Sequence, residues 1–308
     1  MFTLAHLSDP HLSGWPLPQP QQLLSKRGLG FLSWQLRRRF IHRQSVLDRV
    51  MTDLAQSQAD HVAVTGDITN ISLPQEFMNA AAWLQRIGPP DRVTVIPGNH
   101  DRYIALPWSK HLALWDAYMA GDDQPIQASG TDRDAARFPF LRRRGPMALI
   151  GVSSAEPMPY NSAAGHVGPD QLGRLASILA MLEAEGRFRV VLIHHPPQGR
   201  ATHERKALID ASAFRDVVAQ KGAELVLHGH THRAHLDHIP GPRHRVPVLG
   251  VPSASARPHG DKPAGGYHLY RVTRANQGWD LEIETRGLPR QGAGLETTGR
   301  FRLAGQPA

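Results

Sequence analysis

Arg92-Val93-Thr94-Val95-Ile96-Pro97-Gly98-Asn99-His100-Asp101 sets a β-branched apolar run directly before side chains able to ligate metals or move protons. Val, Thr and Ile suit the pleated, half-buried setting of a strand, and Pro97-Gly98 breaks it. The polar cluster thus stands at the carboxyl end of a strand, where open α/β sheets form their ligand crevices. Working outward, the same arrangement recurs. Run 2–8 leads into Asp9 and His11, and 61–65 into Gly66-Asp67. Run 189–194 ends in His194-His195-Pro196-Pro197, and 224–228 leads into Gly229-His230-Thr231-His232. Residues two apart in extended backbone share a face, so Asp9/His11 and His230/His232 are expected to act as pairs.

Between these runs lie amphipathic helices, one with Val46, Leu47, Val50, Met51 and Leu54 on one face, another with Leu172, Leu175, Leu179 and Leu182. Strands separated by helices predict an α/β class with a central sheet. Runs 147–152, 246–251, 267–273 and 279–285 are further expected strands. The last three follow one another without helices, which predicts a mixed rather than purely parallel architecture. One domain is expected over 1–286, with insertions at 12–45 and 102–140, and 287–308 as a mobile tail.

With 308 residues and 41% apolar content the chain can bury a sizeable core. Cysteine is absent, so disulfides and thiolate metal sites are excluded; the 18 histidines gather at strand ends. Carboxylate, amide and imidazole donors suit Mn, Fe or Zn. Seven candidate ligands exceed the needs of one tetrahedral ion but match two ions sharing a carboxylate. Spacing leaves open whether His194 or His195 is the ligand.

The ordered blocks Asp-x-His, Gly-Asp, Gly-Asn-His-Asp, His and Gly-His-x-His, running from Asp9 to His232, resemble the calcineurin-like metallophosphoesterases. The resemblance implies an α/β fold of two mixed β-sheets packed as a sandwich flanked by helices. It implies that Asp9, His11 and His232 hold one metal, that Asn99, His194 and His230 hold the other, and that Asp67 bridges them with a hydroxide as nucleophile. His194 matches the family position, leaving His195 beside the ligands, facing substrate, or simply a polar residue at the strand end. His100 would stabilise the phosphate or donate a proton, with Asp101 orienting its ring, and glycines 66, 98 and 229 would allow the close turns. The implied reaction is metal-dependent hydrolysis of a phosphoester, and the similarity is strongest to the cyclic-nucleotide and glycerophosphodiester phosphodiesterases.

The net charge of +8 is concentrated locally: no acidic residue lies between Asp9 and Asp48, a stretch carrying Lys26, Arg27, Arg37, Arg38, Arg39 and Arg43. In 23–43, Leu29, Leu32, Leu36 and Phe40 recur at helical spacing, with Phe31 and Trp34 alongside. Two readings follow: a helical insertion packed on the domain with arginines in solvent or lining the cleft, or an interfacial element for an anionic membrane. The second motivates an alternative function, a lipid-directed hydrolase similar to the UDP-diacylglucosamine hydrolases, although these often replace the histidine retained here as His100. A non-catalytic scaffold is disfavoured because every ligand type is present, and no nucleic-acid module accompanies the charge. Arg142-Arg143-Arg144 is expected in a solvated turn. Without a secretory signal or an apolar run long enough to span a bilayer, the expected location is cytoplasmic, with peripheral contact at the inner membrane open.

Overall fold

The computed structural model describes residues 1–14, 17–122, 137–198, 203–276, 278–289 and 294–306, with 304–306 as backbone alone. The expected insertion at 102–140 and the expected tail are therefore described in part. The strands are β1 Phe2–Leu7, β2 His61–Val64, β3 Val93–Val95, β4 Phe140–Arg144, β5 Met147–Gly151, β6 Phe188–Ile193, β7 Leu225–His228, β8 His235–Ile239, β9 Val246–Gly250, β10 Gly266–Arg274, β11 Trp279–Gly287 and β12 Glu296–Gln306. The helices are α1 Lys26–Ser33, α2 Arg39–Ile41, α3 Gln44–Gln56, α4 Pro74–Ile87, α5 Asp116–Met119, α6 Pro169–Ala184 and α7 Ala211–Lys221.

Two six-stranded sheets form, in the orders β12-β11-β10-β1-β2-β3 and β4-β5-β6-β7-β9-β8. Each is mixed: β1, β2 and β3 pair in parallel while β10 meets β1 antiparallel, and β5, β6, β7 and β9 run parallel between antiparallel β4 and β8. Successive strand side chains point to opposite faces, and the packing follows that alternation. Val190, Leu192, Leu225 and Leu227 join Leu4, Val64 and Val95 in the core between the sheets. Val191, Ile193 and Val226 instead meet Leu175, Leu179, Leu182 and Phe214 of α6 and α7. Being covered on both faces is why residues 190–193 of β6 and 225–227 of β7 read as apolar runs without alternation. Leu47, Val50 and Leu54 of α3, with Phe77, Trp83 and Leu84 of α4, complete the first core.

Helix α4 starts where it does because Pro74 has no N–H to lose and the buried Glu76 carboxylate accepts from the amides of Asn70, Ile71 and Leu73 at 2.7, 3.1 and 2.9 Å. This fastens the loop after Asp67 to the helix behind it.

Three strands differ from the sequence reading. The segment expected as a mobile tail contains β12, which pairs with β11; Arg302 and Arg300 meet Asp280 and Glu284 at 2.5 and 3.2 Å across that ladder. The arginines at 142–144 are not in a solvated turn but in β4. Arg142 is buried because its guanidinium donates to the carbonyls of Ala120, Pro90, Val93 and Ala117 at 2.6–2.7 Å. Strand β8 lies at an edge with exposed side chains, so its sequence carries no apolar run.

Candidate metal centre

The carboxyl ends of β1, β2, β3, β6 and β7 converge at one edge of the sandwich, and the five polar blocks meet there. Asp9, His11 and His232 form one group of potential ligands, and Asp9, Asp67 and His194 another, each with its ligand atoms within 4.8 Å of one another. Asp9 Oδ1 lies 3.1 Å from His232 Nε2 and 3.9 Å from His11 Nε2. Asp67 Oδ2 lies 3.4 Å from His194 Nε2 and 3.8 Å from His11 Nε2. Asn99 Oδ1 is 3.2 Å from His194 Nε2 and 2.9 Å from His230 Nδ1. All seven candidate ligands are thus brought together.

The pairing is not that of extended strands. Asp9, His11, Asp67, His230 and His232 have φ of 53°, 40°, 55°, 64° and 56°. Non-glycine residues seldom adopt the left-handed region, and clusters of them mark functional sites where surrounding bonds hold the strain. Here the amides of Asp9 and His11 donate to Gly66 and Asp67 carbonyls at 2.9 and 3.1 Å, and the His230 amide donates to Asp9 Oδ2 at 3.0 Å. The loops brace one another, aiming side chains inward that strand alternation would have sent to opposite faces. The close approach needs glycine at Gly98 and Gly229: a Cβ would run into the Asp67 carboxylate at the first, and into Ser8 and Asp9 at the second.

The imidazoles are oriented by backbone carbonyls. His194 Nδ1 is 2.6 Å from Thr65 O and His11 Nδ1 is 3.1 Å from Thr69 O, so both rings turn Nε2 toward the carboxylates. His100 Nδ1 is 2.5 Å from Asn70 O. The expectation that Asp101 orients His100 is not met: Asp101 accepts from the amides of Thr69 and Gly98 at 2.8 and 2.9 Å and ties the two loops together. Burial, with the Asp67 charge, pushes its carboxyl up to about 7.

Charge is unevenly matched in this crevice. Burial pushes the Asp9 carboxyl up, but His232, His194 and Ser8 together hold it far below the usual carboxylate range. Burial likewise raises Asp67, yet His194 and His100 keep it low. His194 shows the reciprocal effect: burial lowers it, while Asp67 and Asp9 lift it to about 9. Two buried anions therefore demand positive charge; His230 Nε2 has no hydrogen-bond partner, and Asp9 Oδ1 makes no well-aligned hydrogen bond, with only the His232 imidazole 3.1 Å away. An oxygen and nitrogen donor set with buried, unpartnered lone pairs fits divalent ions.

His195 lies in a cluster with His194 and His230, but its Nδ1 is 2.8 Å from Ser154 Oγ and its Nε2 3.1 Å from Ala163 O. Those partners lie outside the ligand set, whereas His194 Nε2 faces the candidate ligands Asp67 and Asn99 at 3.4 and 3.2 Å, which favours His194 as the ligand. Buried His228 faces the Gly229 carbonyl at 2.9 Å. Two residues that the motifs did not single out also reach the centre. The His42 ring lies 4.4 Å from that of His11 and 5.6 Å from that of His232. Arg38 Nη2 lies 2.9 and 3.3 Å from Nδ1 and Nε2 of His11, and its Nη1 3.2 Å from His100 Nδ1. Neither stands after an apolar strand, the signal that exposed the others.

A family model of calcineurin-like phosphoesterases matches residues 2–234. The chain belongs to this family. Over 128 residues it is 35% identical to a probable cyclic nucleotide phosphodiesterase of Synechococcus sp. (strain WH7803), covering 41% of this chain and 47% of that protein. The chain thus spans about half the length of this curated relative. Among solved structures, a dimetal phosphatase from Danio rerio aligns with a TM-score of 0.60 at 12% identity, over 93% of this chain and 96% of that one. Purple acid phosphatase PPD1 from yellow lupin (Lupinus luteus) seeds aligns with a TM-score of 0.56 at 11% identity, over 98% and 53%. At these identities the likeness shows the two-sheet fold. Among the described residues, no helix is long and apolar enough to cross a membrane.

Proposed function

We propose that this chain is a dinuclear phosphodiesterase acting on cyclic nucleotides or glycerophosphodiesters. The carrying observation is that Asp67 Oδ2 faces both His194 and His11, at 3.4 and 3.8 Å, so one carboxylate can serve two ligand groups. In this reading Asp9, His11 and His232 hold one ion, Asn99, His194 and His230 the other, and Asp67 both, with Mn, Fe or Zn as suitable metals. When bound, the ions would supply Lewis-acid charge against the phosphoryl oxygens and lower the pKa of water at the site. The chain's own contribution is orientation. The Thr65 and Thr69 carbonyls hold the ligand rings, and the Asn70 carbonyl holds His100 with Nε2 as its available atom. Burial and Arg38 keep His100 neutral, down to about 3; the charge of an approaching phosphate would favour its protonated form, readying it to protonate a leaving oxygen. The cyclic nucleotide named for the Synechococcus relative supports this substrate class.

A Mn-loaded protein assayed against cyclic nucleotides, glycerophosphodiesters and UDP-linked lipids, with metal content measured in parallel, tests the reading. Two ions per chain and turnover of a soluble diester are expected. One ion per chain would remove the dinuclear reading, and preference for the lipid would transfer the function to the second one.

That second reading, a lipid-directed hydrolase meeting an anionic membrane from the cytoplasmic side, is favoured by one observation. Leu29, Leu32, Leu36 and Phe40 are 57%, 53%, 71% and 43% exposed, with exposed Arg37, Arg39 and Arg43 around them. An apolar stripe rimmed by arginines suits an anionic bilayer. Flotation with phosphatidylglycerol vesicles, comparing wild type with a Leu32→Ser/Leu36→Ser/Arg37→Ser/Arg39→Ser variant, discriminates. No flotation of wild type would eliminate the membrane contact.

A further inference from the structure

The segment from Lys26 to Ile41 runs as α1, a π-helical turn over Trp34–Arg38, and α2. Its inner face is set by residues at helical spacing. Arg27 is buried with its guanidinium on the carbonyls of Ile71 and Ser72. Gly30 lies where a Cβ would press on Ile71 and Tyr103, and Phe31 and Trp34 pack against Ile71 and Leu73. Arg38 is next on this face, one turn beyond Trp34, so the docking of the first turns dictates that its side chain enters the metal centre.

Arg38 there is a half-buried guanidinium with no carboxylate within 4.0 Å among the described residues, feeling Asp67, Glu76 and Asp9 only from farther off. Its neighbours are imidazoles. The Nδ1 atoms of His11 and His100 already face the carbonyls of Thr69 and Asn70, so as N–H donors they offer Arg38 no lone pair. His11 Nε2, 3.3 Å away, has one lone pair, and in the dinuclear reading that lone pair serves an ion. Arg38 stays charged at any working pH, and a partly desolvated cation needs an anion. What approaches this spot during the reaction is a phosphoryl group, whose oxygens the guanidinium fork matches.

We propose that Arg38 is a substrate-binding residue of this centre, gripping a nonbridging phosphoryl oxygen, so that the insertion helix takes part in selecting the substrate. The proposal rests on the dinuclear reading above. Grip from the insertion places this contact on a segment separate from the strand ends that carry the candidate ligands.

The test compares wild type, Arg38→Ala, Arg38→Lys and the exposed control Arg37→Ala. Bound metal is measured by mass spectrometry, inorganic phosphate binding to the Mn-loaded protein by calorimetry, and kinetics with bis(p-nitrophenyl) phosphate. Arg38→Ala should keep full metal content and bind phosphate about 10- to 100-fold more weakly, the loss expected for a charge-assisted hydrogen bond. Its KM should rise, Arg38→Lys should fall between, and Arg37→Ala should match wild type. Unchanged phosphate affinity in Arg38→Ala, loss of metal from it, or a wild type that binds no phosphate each overturns the proposal. Failure of the dinuclear reading is seen separately, as fewer than two ions in wild type.

Discussion

Asp67, at the end of β2 in one sheet, places its Oδ2 3.4 Å from Nε2 of His194, at the end of β6 in the other. The contact closes the sandwich at its functional edge, and Asp67 Oδ1 simultaneously accepts from the His100 amide at 2.7 Å. One carboxylate thus ties three of the polar blocks. Asp67→Ala should therefore empty both metal positions and abolish turnover, a result read from metal content and activity together. A variant that retained two ions would sink the shared-carboxylate scheme.

His100 differs from the ligands in pointing its Nδ1 at the Asn70 carbonyl while its ring stacks on Tyr103 at 5.5 Å. His100→Ala should keep both ions but lower kcat by about 10²–10⁴-fold, the usual range for a lost proton-transfer group. Loss of an ion from this variant would move His100 into the ligand set.

Behind the site, Arg189 and Glu224 form a buried bidentate pair, with Nε–Oε2 2.9 Å and Nη2–Oε1 2.7 Å, bolting the start of β6 to that of β7. Removing one partner strands the other charge in the interior. Glu224→Ala should destabilise the fold by about 3–5 kcal/mol, measured by urea denaturation. Arg189→Met/Glu224→Leu, which removes both charges, should recover much of that loss.

Acid stability should depend on His61. It is buried on Thr94 Oγ1 at 2.7 Å, and burial, then Arg144 and Arg142, push its imidazole down to about 3 from the ordinary 6.5. The unfolded chain takes up this proton below pH 6.5 while the folded chain resists until about pH 3. Its contribution is therefore fully present above pH 6.5 and is lost as pH falls through that window. His61→Gln should lessen the fall in urea midpoint between pH 7.5 and 5; an unaltered pH dependence would show that other groups govern it.

The apolar runs and the polar residues that follow them were legible because both are local properties: a buried strand must be apolar and ends where its pairing ends. Strands β4 and β12 were not. Arg142 looks like a surface residue until four backbone carbonyls, supplied from residues 90–120, surround it. In β12, Gly, Arg and Thr mask a strand whose stabilising partners lie on β11. The insertion helix is the sharper case. Its periodicity separates a Leu29-Leu32-Leu36 stripe from an Arg27-Phe31-Trp34-Arg38 stripe, but spacing cannot say which stripe docks. The leucines face outward, because the Ile71 and Ser72 carbonyls await Arg27 and the gap beside Tyr103 admits Gly30.

The chain order of Asp9, His11, Asp67, Asn99, His194, His230 and His232, each beside a strand end, already carries the donor chemistry of the centre, since donor type is a property of each residue alone. Three things belong to the fold. They are which imidazole nitrogen turns inward, how one Asp67 oxygen comes to face two histidines, and why Arg38 enters from an insertion. Each depends on distances between segments far apart in the chain, where a carbonyl at Thr65 or Thr69 and a left-handed turn at Asp9 or His230 set the aim of a side chain. Sequence spacing contains no such distances; the packing of two sheets face to face creates them.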